Sequence, residues 1–215
     1  WAACQICPIV KLKCKVILSV YDLVYKHYPM TMKYSVRIIS QLLIPLSMKK
    51  ADMIIVSSGF IKKDILETYK DQISQGKIVI ISCGSPEWVV SEETKRLSEE
   101  NYFLFVGNLE PRKNLFRVIE ALEILYNRGV EIPLHLVGPS GWENTALFKK
   151  MSESPIRKQI LILGYLKESQ LIEQYIKARA IIFPSLYEGF GLPILESLYL
   201  DKTVITSKGT VMEEI

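Results

Sequence analysis

"YFLFVGNLEPRKNLFRVIEALEILYNRGVEIPLHLVG", residues Tyr102 to Gly138, holds the fold of this chain in miniature. A short apolar run ends in glycine, a polar loop follows, and the period then changes. Leu115, Val118, Ile119, Leu122 and Leu125 recur at helical spacing, Asn114 stands where a helix cap belongs, and Gly129 where a helix ends. A second apolar run, "LHLVG", closes the stretch. Strand, helix and strand in this order are the building unit of a parallel sheet.

The same alternation runs outward in both directions. "QILILG", "AIIFPS" and "TVIT" follow as strands, while "KVILSV" (Lys15 to Val20), "DMIIVS" (Asp52 to Ser57) and "KIVIIS" (Lys77 to Ser82) precede. Between the early strands lie the helix-length segments "MKYSVRIISQLLIPLSMKK" and "FIKKDILETYKDQI". The fold class is therefore α/β with parallel sheets. "CGSPEWVVSEETKRLSEEN", Cys83 to Asn101, exchanges apolar runs for Gly, Pro, Ser and charge, and reads as the region joining two sheet domains. We place the first domain at 1–90, the linker at 91–101 and the second domain at 102–215. The first is expected to lack its beginning and the second its end. The chain starts on Trp1 without a signal-peptide pattern, and "TVITSKGTVMEEI" stops in a loop after a strand.

Composition limits the classes of function. At 215 residues, 49% hydrophobic and 23% charged, the chain has ample material for folded cores. No uncharged apolar run approaches the roughly 18 residues that a membrane span needs. The net charge of +4 is scattered, which favours anionic ligands or an anionic membrane surface and is too weak to imply nucleic acid. The helix Lys33 to Lys50 is apolar over more than half its surface and ends in two lysines. A buried helix of a doubly wound sheet and a helix lying on a membrane share that pattern, and the buried reading is preferred. Cys4-x-x-Cys7 has the spacing of a metal or redox pair, but neither a second cysteine pair nor a nearby histidine completes four zinc ligands. Cys4, Cys7, Cys14 and Cys83 read as buried thiols of a reducing cytoplasm.

In open parallel sheets ligands bind beyond the carboxyl ends of the strands, so the loops there are the candidate site. "GNLEPRKN", Gly107 to Asn114, brings Arg112 and Lys113 to a helix start, where peptide N–H groups already favour an anion. Positive charge opposes the helix dipole at that position, and a bound diphosphate would relieve the opposition. The alternative is a solvated basic pair. "LGYLKES", with Gly164, Tyr165 and Leu166, has no reactive group, although its backbone could line a flat ring. "SLYEGFGLPILES", 185 to 197, sets Glu188 and Glu196 on either side of a Gly-Phe-Gly turn. Gly189 and Gly191 are expected to take positive φ, and Pro193 suits the first turn of a helix. Each carboxylate suits a vicinal diol, a ribose or a hexose. As a purely structural residue Glu196 would complement the helix dipole, whereas Glu188 has no such explanation. The chain has no phosphate loop of the Gly-x4-Gly-Lys-Ser/Thr type, no Gly-x-Ser-x-Gly elbow and no His-Glu-x-x-His. With only His27 and His135, a nucleophilic triad is not expected, and His135 reads as a structural residue within a strand.

Together these motifs resemble glycosyltransferase family 4, the glycosyl transferases group 1, which are retaining enzymes of the GT-B fold. "EGFGLPILE" matches that family's Glu-x7-Glu motif, "VGNLEPRKN" its phosphate-binding segment, "LGYLKESQL" its nucleobase loop and "ADMIIVSSGFIKKDI" a stretch near the end of its first domain. The resemblance implies two Rossmann-like domains that take a nucleoside-diphosphate sugar, need no metal or other cofactor, and transfer the sugar to a glycan or lipid-linked acceptor in cell-surface polysaccharide or lipopolysaccharide synthesis. The implied setting is cytoplasmic, at the inner face of a membrane. The catalytic positions would be Glu188, Arg112 and Lys113. Donor contacts would come from Gly107, Arg112, Lys113, Gly164, Tyr165, Leu166, Glu188, Gly189, Phe190, Gly191, Leu192 and Glu196. Family members often carry His-Asp where this chain has Tyr21-Asp22, which we place on the acceptor side. Two further readings are a non-catalytic nucleotide-sugar-binding fragment and a nucleotide-sugar epimerase of the same architecture.

Overall fold

The structure, a computed structural model, describes residues 1–10, 12–141 and 145–215. By its internal contacts the chain divides into two units. The first comprises Trp1–Gly84, Tyr187–Gly191 and Gly209–Ile215, and the second Ser85–Leu186 and Leu192–Lys208.

The first unit is built on a parallel sheet of β1 (Ile17–Ser19), β2 (Met53–Val56) and β3 (Ile78–Ile80), in the order β1-β2-β3. Leu18 pairs in register with Ile54, and Ile54 with Ile78, so a row of buried apolar side chains crosses the sheet. The helices are α1 (Val24–His27), α2 (Tyr34–Lys50) and α3 (Gly59–Thr68). Ser58 caps α3 by accepting a hydrogen bond from the Ile61 N–H, and Ile61 and Ile65, one turn apart, are buried. This helix ends at Thr68 and not at residue 73 as its sequence suggests, because Gln72 and Ile73 turn back onto the Tyr69 carbonyl.

α2 also departs from expectation. It buries Ser40, Ile44, Ser47 and Met48, and leaves Val36, Ile39, Leu42 and Leu46 exposed. The buried face is lined partly by serines, and the Ser47 hydroxyl accepts the Cys7 N–H. The interior reading of the thiols holds for Cys7 alone, since Cys4, Cys14 and Cys83 are exposed.

The second unit is a five-stranded parallel sheet in the order β6-β5-β4-β7-β8. Its strands are β4 (Phe103–Val106), β5 (Leu134–Val137), β6 (Ile160–Gly164), β7 (Ala180–Phe183) and β8 (Val204–Thr206). The helices are α4 (Glu92–Lys95), α5 (Leu115–Asn127), α6 (Thr145–Glu153), α7 (Glu168–Lys177) and α8 (Leu192–Tyr199). β7 is buried along its whole length, as strands covered on both faces are. α5 lays Leu115, Val118, Ile119 and Leu122 inward, and Gly129 with positive φ ends it by letting Val130 N–H reach the Leu125 carbonyl. The start of α5 differs from the reading of the sequence. Asn114 is left-handed (φ 60°) and makes no side-chain cap; its Nδ2 donates to the Pro184 carbonyl across to the end of β7.

His135 fills the structural role expected of it, stacked 3.8 Å from the Tyr102 ring with Nδ1 2.9 Å from Gln174 Oε1. Within 85–101, Ser91 caps α4, and Trp88 packs on Tyr175 and Tyr199 of the same unit.

Candidate functional site

In the second unit the chain goes from β4 outward to β5 and β6, then returns to the other side of β4 to form β7. The order reverses between β4 and β7. Open sheets bind ligands outside the carboxyl ends of the strands at such a reversal. Here the loop after β4 holds Arg112 and Lys113, and the loop after β7 holds Pro184 to Leu186. The two loops are tied together: Leu186 N–H donates to the Arg112 carbonyl at 2.9 Å, and Asn114 reaches Pro184 at 3.3 Å. Gly107 belongs to the same edge, its N–H bonded to Val137, while Gly138 N–H is bonded to Gly164. The carboxyl ends of β4, β5 and β6 are thus laced side by side.

The basic pair is not solvated. Lys113 is 7% exposed, with its Nζ 4.9 Å from the centre of the Phe183 ring. Arg112 Nε donates to Glu110 Oε2 at 3.0 Å, and both side chains are mostly covered. Burying a lysine ammonium is costly unless other groups compensate, and an aromatic face supplies part of the compensation. Arg112 and Lys113 sit on a short 3-10 turn, Pro111–Lys113, which left-handed Asn114 separates from α5. Glu110 orients the guanidinium, and sequence reading did not single it out. A carboxylate two residues before an arginine is common on any surface and becomes meaningful only once the turn folds it back.

Glu196 lies on α8, four residues beyond Leu192 and therefore past the first turn, where the helix dipole has faded. The dipole therefore does not account for it. Its Oε2 accepts a hydrogen bond from the Tyr175 hydroxyl at 2.6 Å. Burial raises the Glu196 carboxyl above the ordinary range, and the Tyr175 bond works against that rise. Burial and the neighbouring carboxylate also push the Tyr175 phenol far up, so it stays a neutral donor. Tyr175 is fully buried on α7 and was not visible from sequence, where it reads as one more position of an apolar face. Of the loop after β6, Tyr165 is 85% exposed and Leu166 packs on the core of this unit. Leu192, the first residue of α8, is exposed.

The turn Tyr187–Gly191 belongs to the first unit and is clamped there. The buried Tyr187 hydroxyl accepts from Leu23 N–H at 2.9 Å and donates to Asp64 Oδ2 at 2.6 Å. The Gly189 carbonyl accepts from Ser57 Oγ at 2.8 Å and from Ser58 Oγ at 3.2 Å. Gly191 has positive φ (128°), as expected, but Gly189 does not. Gly189 is required by space: a Cβ there would stand 2.0 Å from the Tyr21 carbonyl oxygen. Glu188, between these anchors, is 8% exposed.

Tyr21 and Asp22 lie against this turn, Asp22 with its Cβ 3.4 Å from the site of a Gly189 Cβ. Asp22 Oδ1 also accepts from the Val24 N–H at the start of α1, and the Tyr21 hydroxyl donates to the Ala3 carbonyl. Of the residues singled out in the sequence, Tyr21, Asp22, Glu188, Gly189, Phe190 and Gly191 thus lie in the first unit, and Gly107, Arg112, Lys113, Gly164, Tyr165, Leu166, Leu192 and Glu196 in the second. Ser57, Ser58 and Asp64, the anchors of the turn, lie in the stretch "ADMIIVSSGFIKKDI" but, like Glu110 and Tyr175, were not singled out from sequence. Among the described residues no three His, Cys, Asp or Glu side chains form a group able to hold a metal ion, and no helix is long and apolar enough to cross a membrane.

Comparison with known proteins agrees with this architecture. The Escherichia coli O-antigen chain mannosyltransferase B is 31% identical over 177 residues, 79% of this chain and 46% of that protein. Among solved structures, Anabaena Alr3699/HepE in complex with UDP and glucose superimposes with a TM-score of 0.70 at 15% identity, covering 93% of this chain and 55% of that one. WaaG, a glycosyltransferase involved in lipopolysaccharide biosynthesis, gives 0.70 at 16% identity, covering 92% and 58%. The chain spans about half the length of these proteins, and its fold is GT-B-like, with two Rossmann-like units. The profile of the family described as Glycosyl transferases group 1 matches residues 87–215, a stretch that holds Arg112, Lys113, Glu188 and Glu196 together, and the chain belongs to that family.

Proposed function

We propose that the protein containing this chain is a retaining glycosyltransferase that moves a hexose, mannose before glucose, from a nucleoside diphosphate to a glycan or lipid-linked acceptor in cell-surface polysaccharide synthesis. The mannosyltransferase relative supports the choice of sugar, and the nucleotide in the HepE complex supports the donor class. The observation that carries the reading is the pair of cations at the strand-order reversal, Lys113 buried and Arg112 largely covered.

In this reading the two cations bind the diphosphate and take up the negative charge that grows on it as the glycosidic bond breaks, a task a divalent ion performs in other enzymes. Their low exposure strengthens that interaction, because less water screens it. Glu196 accepts the ribose hydroxyls, the backbone of Gly164 to Leu166 borders the base, and Glu188 with the backbone of Phe190 to Leu192 faces the transferred sugar. The leaving phosphate assists deprotonation of the acceptor on the same face, so the anomeric configuration is kept and no protein nucleophile is required. The reaction takes place on the cytoplasmic side of a membrane, with the protein in peripheral contact.

Titration calorimetry of the full-length protein with UDP- and GDP-linked hexoses tests the reading. Arg112→Ala combined with Lys113→Ala should weaken donor binding by roughly 3 kcal/mol, the scale of two lost charge-assisted contacts. Equal titration curves for wild type and double variant would overturn the diphosphate assignment.

A further inference from the structure

The proposed reaction leaves unused a constellation in the first unit, on the wall formed by α1, α3 and Tyr187. His27 Nε2 lies 2.8 and 3.0 Å from the two oxygens of Asp64. Asp64 also accepts from the Tyr187 hydroxyl at 2.6 Å and from Thr68 Oγ1 at 3.2 Å. Its acceptor capacity is largely committed, so it forms a stiff floor and is a poor cation ligand. Around it three aromatic rings converge, with the Tyr187 ring 5.2 Å from His27 and 5.9 Å from both Tyr28 and Phe60. These groups line a cavity of about 450 Å³, and Lys63 and Glu67 complete its rim. That volume falls within the roughly 300–1,000 Å³ typical of small-ligand pockets.

We propose that this cavity is a saccharide subsite, which holds a neutral sugar ring of the acceptor glycan beside the turn that carries Glu188. The lining selects the ligand class. A hexopyranose has an apolar C–H face that lies on aromatic rings and a rim of hydroxyls that needs both donors and acceptors. Phe60 and Tyr28 supply the first, and Lys63 and Glu67 the second. Lys63 and Glu67 are 4.0 Å apart and oppositely charged, so the rim favours neither an anion nor a cation. A phosphate therefore has better partners at Arg112 and Lys113, and a polyol has better partners here. Tyr187, which lines the cavity, is one residue from Glu188, about 3.8 Å along the backbone, so a ring held here lies close to the turn that carries Glu188.

The assignment to the acceptor rests on the transferase reading, and the test separates the two. Saturation-transfer NMR on the full-length protein uses an α-linked mannotriose as probe, and the same trisaccharide serves as acceptor in steady-state kinetics. Wild type should transfer saturation to the probe. Phe60→Ala, which removes a ring, and Glu67→Gln, which alters one exposed carboxylate without burying anything, should each abolish most of that signal. Each should raise the acceptor KM at least tenfold and leave the donor KM unchanged. Probe signals equal to wild type in both variants, or an unchanged acceptor KM in both, would overturn the subsite while leaving the transferase intact. Loss of the signals in a protein that transfers from no donor would uphold the subsite and sink the transferase reading.

Discussion

The spacing of Glu196 to Glu188 made it a candidate in the sequence, but its setting was not legible there. The Tyr175 hydroxyl that orients it comes from another helix, at a position whose sequence signal is that of ordinary core. Tyr175 holds one carboxylate oxygen and so restricts the orientation of the other, which suits the ribose contact proposed for Glu196. Because burial raises the Glu196 carboxyl, donor affinity should fall as pH drops through a value above that of an ordinary glutamate. Tyr175→Phe removes the contact that opposes this rise, so the acid limb of donor affinity should move to higher pH, measurable by nucleotide titration across pH. The same variant should lose about 2 kcal/mol of stability at neutral pH, the scale of a hydrogen bond to a charged group. The sign follows from linkage: the phenol stabilises the ionised carboxylate more than the protonated one, so the deficit is largest above the raised folded-state value and shrinks as pH falls through it. Thermal unfolding of the two proteins across pH checks this, and a deficit that grows toward acid would contradict it.

At the scale of the element, the Gly-Phe-Gly turn shows what spacing conveys and what it omits. Two glycines announce a turn, and Gly191 serves the conformational purpose expected of it. Gly189 serves another, because the Tyr21 carbonyl occupies the space of a side chain. Its carbonyl is held by Ser57 and Ser58, more than 130 residues earlier in the chain, a contact that local pattern does not carry. Gly189→Ala should therefore exceed the usual overpacking cost of about 1–3 kcal/mol, since a backbone oxygen cannot step aside as a side chain would. Differential scanning calorimetry should show a lowered Tm together with lost transfer; a Tm within a degree of wild type would mean that the turn is not clamped as described. The loop after β4 gives the complementary lesson. Its basic pair was legible, whereas the left-handed Asn114, its bond to Pro184 and the Glu110 contact to Arg112 depend on where β7 returns.

At the scale of the molecule, the eight strands among the described residues could be read from sequence, because each is a short apolar run bounded by glycine and polar residues, whether wholly buried like β7 or partly exposed like β3, β6 and β8. The order of those strands could not, since hydrophobic runs do not say which neighbour each one finds. That order matters most, for it places the β4 and β7 loops side by side. Nor does any local signal show that Tyr187–Gly191 joins the first unit while α8, directly after it, joins the second. The motif that looked like one feature in sequence is thus anchored on two bodies, Glu188 on one and Glu196 on the other. The proposed transfer from a nucleoside-diphosphate sugar rests on these two glutamates and on the largely covered cations Arg112 and Lys113. The most direct test is a radiolabelled-sugar transfer assay with the full-length protein, a panel of UDP- and GDP-hexoses, and Glu188→Gln beside the wild type. Wild type should transfer from at least one donor, and Glu188→Gln should lose at least a hundredfold in kcat with donor KM little changed; equal turnover by both proteins, or none from any donor by the wild type, would contradict the proposed transfer.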